Sequence, residues 1–200
     1  MEHYFSNNPT SRSDEQIIRY TLADRLYLLM TDHGVFSMDR VDKGSDLLIR
    51  TVLKAEEDPA SCMDIGCGYG PIGLILADRW PASEWQLVDV NDRAMELAGR
   101  NAAALGLLGR VQIGPMESFP ADDRREVIVT NPPIRAGKQV IYGLFREAWE
   151  RLAPGGRLYI VIRKNQGADS AAREIRNLFG NCETVGREAG YHVLRAEKSN

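Results

Sequence analysis

The tetrapeptide Asn131-Pro132-Pro133-Ile134, which follows a short apolar run, has the composition of an amine-binding loop. The Asn side-chain oxygen and the carbonyl of the following Pro are two hydrogen-bond acceptors, and the prolines hold their own φ angles fixed. A planar NH₂ group on a nucleobase or a carboxamide has two hydrogens to donate to such a pair. The motif therefore favours chemistry on an amine nitrogen, and a loop that uses Pro-Pro only as punctuation is the alternative.

A second chemical signal is the glycine-rich segment from Asp64 to Gly70, which joins a predicted strand to a predicted helix. Gly66, Gly68 and Gly70 let the backbone approach a ligand with no Cβ in the way, which favours a nucleotide-type ligand. With Gly73 the loop also matches the dinucleotide pattern G-x-G-x-x-G. A carboxylate at position 64 repels a pyrophosphate and attracts an ammonium group, which favours S-adenosylmethionine (SAM) over a dinucleotide.

Asp89 ends the next predicted strand, 19 residues after Gly70. A carboxylate there can accept hydrogen bonds from both ribose hydroxyls of an adenosine ligand, whether SAM or a dinucleotide. An N-terminal partner for the helix that begins near Asp92 is the alternative interpretation. The pattern G-x-x-x-x-G-K-[ST] is absent from the sequence, which argues against ATP or GTP hydrolysis.

The elements that position these residues alternate between strand and helix from Ser61 onward. This alternation predicts an α/β fold with a mostly parallel sheet, helices on both faces, and ligands bound at the carboxyl ends of the strands. The predicted strands are Cys62 to Ile65, Trp85 to Asp89, Val111 to Ile113, Glu126 to Thr130 and Arg157 to Arg163. The predicted helices are Pro71 to Arg79, Asp92 to Leu105, Val140 to Leu152 and Ser170 to Phe179.

The two ends of the chain depart from this alternation. Gln16 to Leu22 and Leu26 to Met30 predict an N-terminal β-hairpin. A helix is predicted over Ser45 to Lys54, with Ser45 as its N-cap. Cys182 to Arg187 and Tyr191 to Glu197 predict an antiparallel hairpin at one edge of the sheet.

Length and composition predict one globular domain in a reducing compartment. With 200 residues and 44% hydrophobic content, we expect a catalytic core over 44–200 and an N-terminal extension over 1–43. The cysteines Cys62, Cys67 and Cys182 form no C-x-x-C pair, so no disulfide framework and no metal site are predicted. No signal-like region is recognisable, and no apolar run approaches the ~20 residues that cross a bilayer. We therefore expect a cytoplasmic protein.

The net charge of −3 excludes nucleic-acid binding through overall charge alone. Basic residues nevertheless occur in pairs near the predicted ligand-binding rim. The pairs indicate a local phosphate-binding face, and scattered solvated charges are the alternative. They are Arg40 and Lys43, Arg135 and Lys138, and Arg163 and Lys164.

Together, DIGCGYG (64–70), Asp89 and NPPI (131–134) resemble the motifs of class I SAM-dependent methyltransferases. More narrowly, GVFSMDRVDKGSDLLI (34–49) and NPPIRAGK (131–138) resemble the RsmC-type enzymes, which methylate a guanine N2 in small-subunit ribosomal RNA. The resemblance implies a Rossmann-like, mostly parallel seven-stranded sheet with an antiparallel C-terminal edge hairpin and an N-terminal β-hairpin extension. It also implies SAM as cofactor and RNA, either ribosomal RNA or the small ribosomal subunit, as partner.

Residue roles follow from the same resemblance. Catalysis is expected at Asn131, Pro132, Pro133 and Ile134, where Ile134 replaces a frequent aromatic residue. SAM binding is expected at Asp64, Gly66, Cys67, Gly68, Gly70, Asp89, Val90, Met116, Glu117 and Asn131. Substrate binding is expected at Phe36, Ser37, Arg135, Lys138, Arg163 and Lys164, with core packing as the alternative for Phe36.

Other functions remain open at this point. A protein glutamine amide and adenine N6 offer the same two hydrogens to the Asn-Pro-Pro motif. A non-catalytic SAM-binding module and a nicotinamide-dependent oxidoreductase are the alternatives outside methyl transfer. Larger RsmC-type proteins carry an additional methyltransferase-like domain, so the resemblance gives no position in the RNA.

Overall fold

A computed structural model describes residues 14–32, 40–133 and 136–199. In chain order the strands are β1 (Gln16–Leu22), β2 (Arg25–Thr31), β3 (Ser61–Ile65), β4 (Glu84–Val88), β5 (Val111–Gly114), β6 (Arg125–Thr130), β7 (Leu152–Arg163), β8 (Glu183–Glu188) and β9 (Tyr191–Glu197). The α-helices are α1 (Lys43–Ala55), α2 (Pro71–Arg79), α3 (Asp92–Ala104), α4 (Lys138–Arg151) and α5 (Ala168–Phe179). Within the described ranges, no helix has the length and apolar character needed to span a membrane.

The main sheet has seven strands in the order β5-β4-β3-β6-β7-β9-β8. Strands β3 to β7 pair in parallel, whereas β9 runs antiparallel to both β7 and β8. Strands β1 and β2 form a separate antiparallel hairpin. The predicted α/β sheet, its C-terminal edge hairpin and the N-terminal hairpin are therefore confirmed. The strand order reverses direction between β3 and β6, which is where open sheets of this type bind ligands.

Side chains that alternate along the strands divide the hydrophobic core into two layers. Cys62, Val127 and Tyr159 face one layer, which helices α1, α2 and α3 cover. The residues next to them in sequence face the other layer, which helices α4 and α5 cover. The N-terminal hairpin belongs to the first layer, because Tyr27 and Leu29 of β2 are completely buried in it.

Helix α1 begins earlier than predicted. Asp42 is its N-cap, and the Asp42 carboxylate accepts hydrogen bonds from the backbone N–H groups of Gly44 and Ser45 at 2.8 and 3.2 Å. The predicted N-cap, Ser45, was wrong because Asp42 satisfies the free N–H groups three residues earlier. The Ser45 hydroxyl therefore does not cap the helix and is available to side chains outside it.

Candidate active site

The carboxyl ends of β3, β4 and β6 carry the residues predicted for the site, and hydrogen bonds connect these ends to one another. The Thr130 hydroxyl donates to the Ile65 carbonyl at 2.7 Å, which connects the end of β6 to the end of β3. The N–H groups of Gly66 and Cys67 donate to the Val88 carbonyl at 2.8 and 2.9 Å, which connects β3 to β4. Asp64, the glycine loop, Asp89 and Asn131 therefore lie on one rim of the sheet.

Asp64 is completely buried at the end of β3. Its Oδ2 accepts a hydrogen bond from the Gly73 N–H at 2.9 Å, but its buried Oδ1 has no hydrogen-bond partner among the described residues. The pKa of the Asp64 carboxyl is raised to about 7, mainly by burial. The Gly73 N–H acts in the opposite direction, and the nearby Asp89 charge adds to the effect of burial. An ionised carboxylate in this position requires a donor, preferably a cation, that the described protein does not supply.

The glycines of the loop have different structural roles. Gly66 has a φ of +74°, and a Cβ on Gly66 would meet no other heavy atom within 4 Å, so open space lies in front of it. A Cβ on Gly70 would lie 2.7 Å from the Leu74 side chain. A Cβ on Gly73 would lie 2.9 Å from Leu87 and 3.1 Å from Asp64. Packing of α2 against the sheet thus explains Gly70 and Gly73 of the dinucleotide pattern, whereas Gly66 faces open space.

The side chains of the loop point into the core. Cys67 is 4% exposed and Tyr69 is 1% exposed, and burial raises the pKa of both groups. The Asn101 side-chain amide donates to the carbonyls of Tyr69 and Met30, both at 2.9 Å. Asn101 of α3 thus holds the glycine loop against the N-terminal hairpin. This contact was not predicted from the sequence.

Asp89 positions the glycine loop from the end of β4. Its Oδ2 accepts from the Gly68 N–H at 2.8 Å, and its Oδ1 accepts from the N–H groups of Val90 and Asn91 at 2.8 and 3.0 Å. Burial raises the pKa of the Asp89 carboxyl, while these three N–H groups lower it. Because a carboxylate accepts about four hydrogen bonds, Asp89 can take one further donor. Asn91 is the N-cap of α3, and Asp89 binds the N–H of Asn91, so Asp89 also supports the start of this helix.

Three of the residues predicted to bind SAM lie beyond β4 and β5. The Val90 side chain is 52% exposed beside Asp89. Met116 and the exposed Glu117 belong to a short 3-10 turn after β5. Arg151 of α4 fixes this turn, because its guanidinium donates to the carbonyls of Met116 and Pro120 at 3.3 and 2.9 Å.

Asn131 is half-buried at the end of β6, and its side-chain amide is held by the start of α1. The Asn131 Nδ2 donates to Ser45 Oγ at 3.1 Å and to Asp42 Oδ2 at 3.4 Å. The Ser45 hydroxyl itself donates to Asp42 Oδ2 at 2.5 Å. A carboxylate only accepts hydrogen bonds, so this partner fixes the amide orientation, and the Asn131 Oδ1 faces away from Asp42. Neither residue was predicted as a partner of Asn131, because their only signal in the sequence is that they are polar residues in the segment before the glycine loop.

The described basic residues of the predicted substrate face are exposed. They lie at the start of α4 and at the end of β7, and they are Lys138, Arg163 and Lys164. The Arg163 guanidinium lies 4.7 Å above the ring of Tyr191. Because Thr130 pairs with Ile160, Arg163 lies three residues, or roughly 10 Å, beyond the end of β6.

An open pocket of about 450 Å³ is next to this end of β7. Its lining residues are Arg163, Lys164, Asn165, Asp169, Ala189 and Gly190. The other predicted substrate residues, Phe36, Ser37 and Arg135, and the predicted catalytic residue Ile134 lie outside the described residues.

Comparison with known proteins shows that this chain is similar to methyltransferases. The sequence profile of the methyltransferase small domain family matches residues 27–195. The chain is 40% identical over 200 residues to the uncharacterized protein YbxB of Bacillus subtilis, with 98% of each chain covered. It is 34% identical over 172 residues to ribosomal RNA small subunit methyltransferase C of Vibrio vulnificus, which covers 82% of this chain and 48% of the relative.

A solved structure gives the same comparison in three dimensions. The Thermus thermophilus 16S rRNA N2 G1207 methyltransferase (RsmC), in complex with SAM and guanosine, superposes with a TM-score of 0.81 and 25% sequence identity. The match covers 96% of this chain and 52% of that chain. The chain thus spans about half the length of the two named methyltransferases, and nearly the full length of YbxB.

Proposed function

We propose that this chain, which belongs to the methyltransferase small domain family and is a SAM-dependent methyltransferase, methylates guanine N2. The proposed acceptor is small-subunit ribosomal RNA. Family membership sets aside the oxidoreductase and the non-catalytic binding module. The observation that carries the proposal is the orientation of Asn131. Its Nδ2 is bound to Asp42 and Ser45, so its Oδ1 is the atom available to a substrate. An oxygen acceptor on this rim suits a hydrogen-bond donor such as an exocyclic amine.

The rim fits SAM better than it fits a dinucleotide. The unpartnered Oδ1 of Asp64 suits an ammonium group, reached directly or through one ordered water, and its charge opposes a pyrophosphate. Gly66 leaves room for the ligand, and Asp89 has capacity for one ribose hydroxyl. Val90 and Met116 supply apolar contacts for the adenine.

When bound, SAM supplies a methyl group on a positively charged sulfur, which keeps the C–S electron pair as the amine nitrogen forms its bond to carbon. Asn131 Oδ1 and the Pro132 carbonyl accept the two amine hydrogens, which localises the nitrogen lone pair. Placing the reactants in this way can supply about 7–11 kcal/mol of the barrier reduction. The proton that the nitrogen loses then leaves to solvent.

The choice of guanine N2 rests on two further considerations. The Thermus thermophilus relative is a 16S ribosomal RNA guanine-N2 methyltransferase. Nearly the whole of this chain superposes on about half of that relative. The exposed Lys138, Arg163 and Lys164 provide phosphate contacts next to the rim in an acidic protein. We extend the same proposal to Phe36, Ser37, Ile134 and Arg135 as substrate contacts. We also propose a catalytic core over 44–200 and an N-terminal extension over 1–43, of which the described strand β2 packs on the core.

The test is a methyl-transfer screen with labelled SAM. The acceptors are naked small-subunit ribosomal RNA, assembled small subunits, large-subunit ribosomal RNA, transfer RNA and ribosomal proteins. Each arm is repeated with excess S-adenosylhomocysteine, which competes for the cofactor site. Digestion and mass spectrometry then identify the methylated product, which we expect to be N2-methylguanosine from the small-subunit arms.

Two results would overturn this assignment. Label found in N6-methyladenosine or methylglutamine moves the function to one of the other amine acceptors. SAM binding without label transfer to any of these acceptors rejects ribosomal RNA as the substrate.

A further inference from the structure

We propose that Asp42 and Ser45 are positioning residues that determine which side-chain atom of Asn131 meets the substrate. The inference rests on the proposed function, because it assumes that Asn131 binds the reacting amine. It goes beyond that function in assigning substrate selectivity to the first turn of α1, which lies 86 residues before Asn131 in the chain.

The number of hydrogens shared by Asp42, Ser45 and Asn131 determines which atoms donate. The Ser45 hydroxyl has one hydrogen, and it is directed at Asp42 Oδ2 at 2.5 Å. Ser45 Oγ can therefore only accept from Asn131, as Asp42 does. A flipped Asn131 would place its Oδ1 against the Asp42 carboxylate, which only accepts, and it could bind Ser45 only if the Ser45 hydroxyl gave up its bond to Asp42. The Asp42 carboxylate thus favours one orientation of the Asn131 amide.

Burial makes this orientation hard to reverse. Ser45 is 2% exposed, and Asp42 is anchored because its Oδ1 caps α1 through Gly44 and Ser45. A hydrogen bond lost inside such a network is not readily replaced by water. The rim therefore presents an acceptor to the substrate, which favours the N2 amine of guanine over the O6 carbonyl on the same edge of the base.

The variant Asp42→Asn tests the polarity of this network. The new side-chain oxygen can still cap α1, but its NH₂ group would face Ser45 and reverse the Ser45 hydroxyl. Asn131 would then turn its NH₂ group to the substrate. We expect turnover to fall by at least about 100-fold, as for the loss of one pre-organised group, and the affinity for S-adenosylhomocysteine to change by less than about 3-fold.

The matched control is Asp92→Asn, which removes an exposed carboxylate from the first turn of α3. It should leave both turnover and cofactor affinity unchanged. An equal loss of turnover in both variants would show that Asp42 acts only through general charge or helix stability.

A second variant separates positioning from structural support. Asn131→Asp places two carboxylates face to face, whereas Asp42→Asn combined with Asn131→Asp restores a donor–acceptor pair and leaves an oxygen for the substrate. We expect the double variant to exceed either single variant in turnover by about 10-fold, which is a strong non-additive coupling. Turnover of the double variant at or below the weaker single variant would overturn the proposal.

Nuclear magnetic resonance gives a readout that needs no RNA substrate. The Asn131 side-chain NH₂ signal, assigned by its absence in Asn131→Asp, should exchange slowly with solvent in the wild type and faster in Asp42→Asn. The exposed Asn165 amide is the internal reference. Exchange as fast as that of Asn165 in the wild type would reject the network even if N2-methylguanosine is formed. Slow exchange without any methylated RNA would reject the proposed substrate and leave the network intact.

Discussion

The candidate site has a cofactor half, formed by Asp64, the glycine loop and Asp89, and an amine half, formed by Asp42, Ser45 and Asn131. The acidic residues Asp64 and Asp42 differ in their hydrogen bonding. Asp64, on the cofactor half, has one bonded oxygen and one buried oxygen without a partner among the described residues. Asp42, on the amine half, accepts bonds through both oxygens from Gly44, Ser45 and Asn131. The amine half is therefore completed by the protein, and the cofactor half requires a ligand.

This difference separates two ways in which a site can be prepared. Groups that bind each other in the folded chain are fixed before the substrate arrives, so they contribute to turnover through pre-organisation. A buried carboxylate without a donor destabilises the fold until a ligand supplies the donor, so it contributes to affinity. Variants in the amine half should accordingly change turnover, and variants in the cofactor half should change binding and stability.

The largest effect is expected for Asn131→Ala, which removes the acceptor of the amine half. Turnover should fall on the order of 10²- to 10³-fold, the size typical when one pre-organised hydrogen-bonding group is removed. The affinity for S-adenosylhomocysteine, measured by calorimetry, should stay close to that of the wild type. Near-normal methyl transfer by this variant would remove Asn131 from the mechanism, and a parallel loss of cofactor affinity would abolish the distinction between the two halves.

The second effect is expected for Asp64→Asn in the cofactor half. Loss of a charge-assisted contact to the ammonium group should weaken S-adenosylhomocysteine binding by about 10- to 100-fold, which corresponds to about 1.4–2.7 kcal/mol. Turnover at saturating SAM should change much less than in Asn131→Ala. Calorimetry across pH should also show wild-type affinity declining as pH falls below about 7, where Asp64 takes up a proton. An unchanged affinity would mean that another group binds the ammonium.

The third effect is on the stability of the ligand-free protein. The Asp64 pKa is about 7 in the fold, against about 4 in an unfolded chain, so the folded state binds this proton more tightly. The free energy of unfolding should then decrease as pH rises from about 4 to about 7. Asp64→Asn removes this decrease, so its melting temperature should exceed that of the wild type by a few degrees at about pH 8 and by less at about pH 5.

Thermal melts of both proteins at the two pH values check this sign. Asp92→Asn, which alters an exposed carboxylate, should show no such pH-dependent difference. A wild type that is more stable than Asp64→Asn at high pH, without ligand, would indicate that Asp64 already has a donor in the folded protein.

The sequence predicted the fold and most of the rim because these depend on local signals. Strand and helix periodicity, together with glycines after β3, indicated the sheet and the loop. The start of α1 was predicted wrongly because Asp42 and Ser45 are both good caps, and only the folded chain shows that Asp42 binds the free N–H groups of the helix. Their contacts with Asn131, 86 to 89 residues later, have no local signal in the sequence. The separate roles of Gly66, Gly70 and Gly73 also required the packing of α2, since spacing alone does not distinguish a packing glycine from a ligand-facing one.

The smallest effects are expected for the exposed basic residues, which belong to neither half of the site. Arg163→Gln, Lys164→Gln and Lys138→Gln should each weaken binding of naked small-subunit ribosomal RNA by about 3- to 5-fold at about 0.1 M salt. Each should also lower the salt dependence of binding by about one unit of slope, as expected for one phosphate contact. Arg163→Gln should have the largest effect of the three, because stacking on Tyr191 restricts the orientation of its guanidinium.

Lys54→Gln is the matched control, because Lys54 is exposed in the last turn of α1 and therefore at the opposite end of that helix from Asp42. A 13-residue helix separates these ends by roughly 18 Å, beyond the ~10 Å over which surface charges act at this salt concentration. A similar slope change in Lys54→Gln would show that RNA binds by diffuse charge. A loss of RNA affinity confined to the Lys138, Arg163 and Lys164 variants, with S-adenosylhomocysteine affinity unchanged, would place the RNA across the amine half. The cofactor half would then be left to SAM alone.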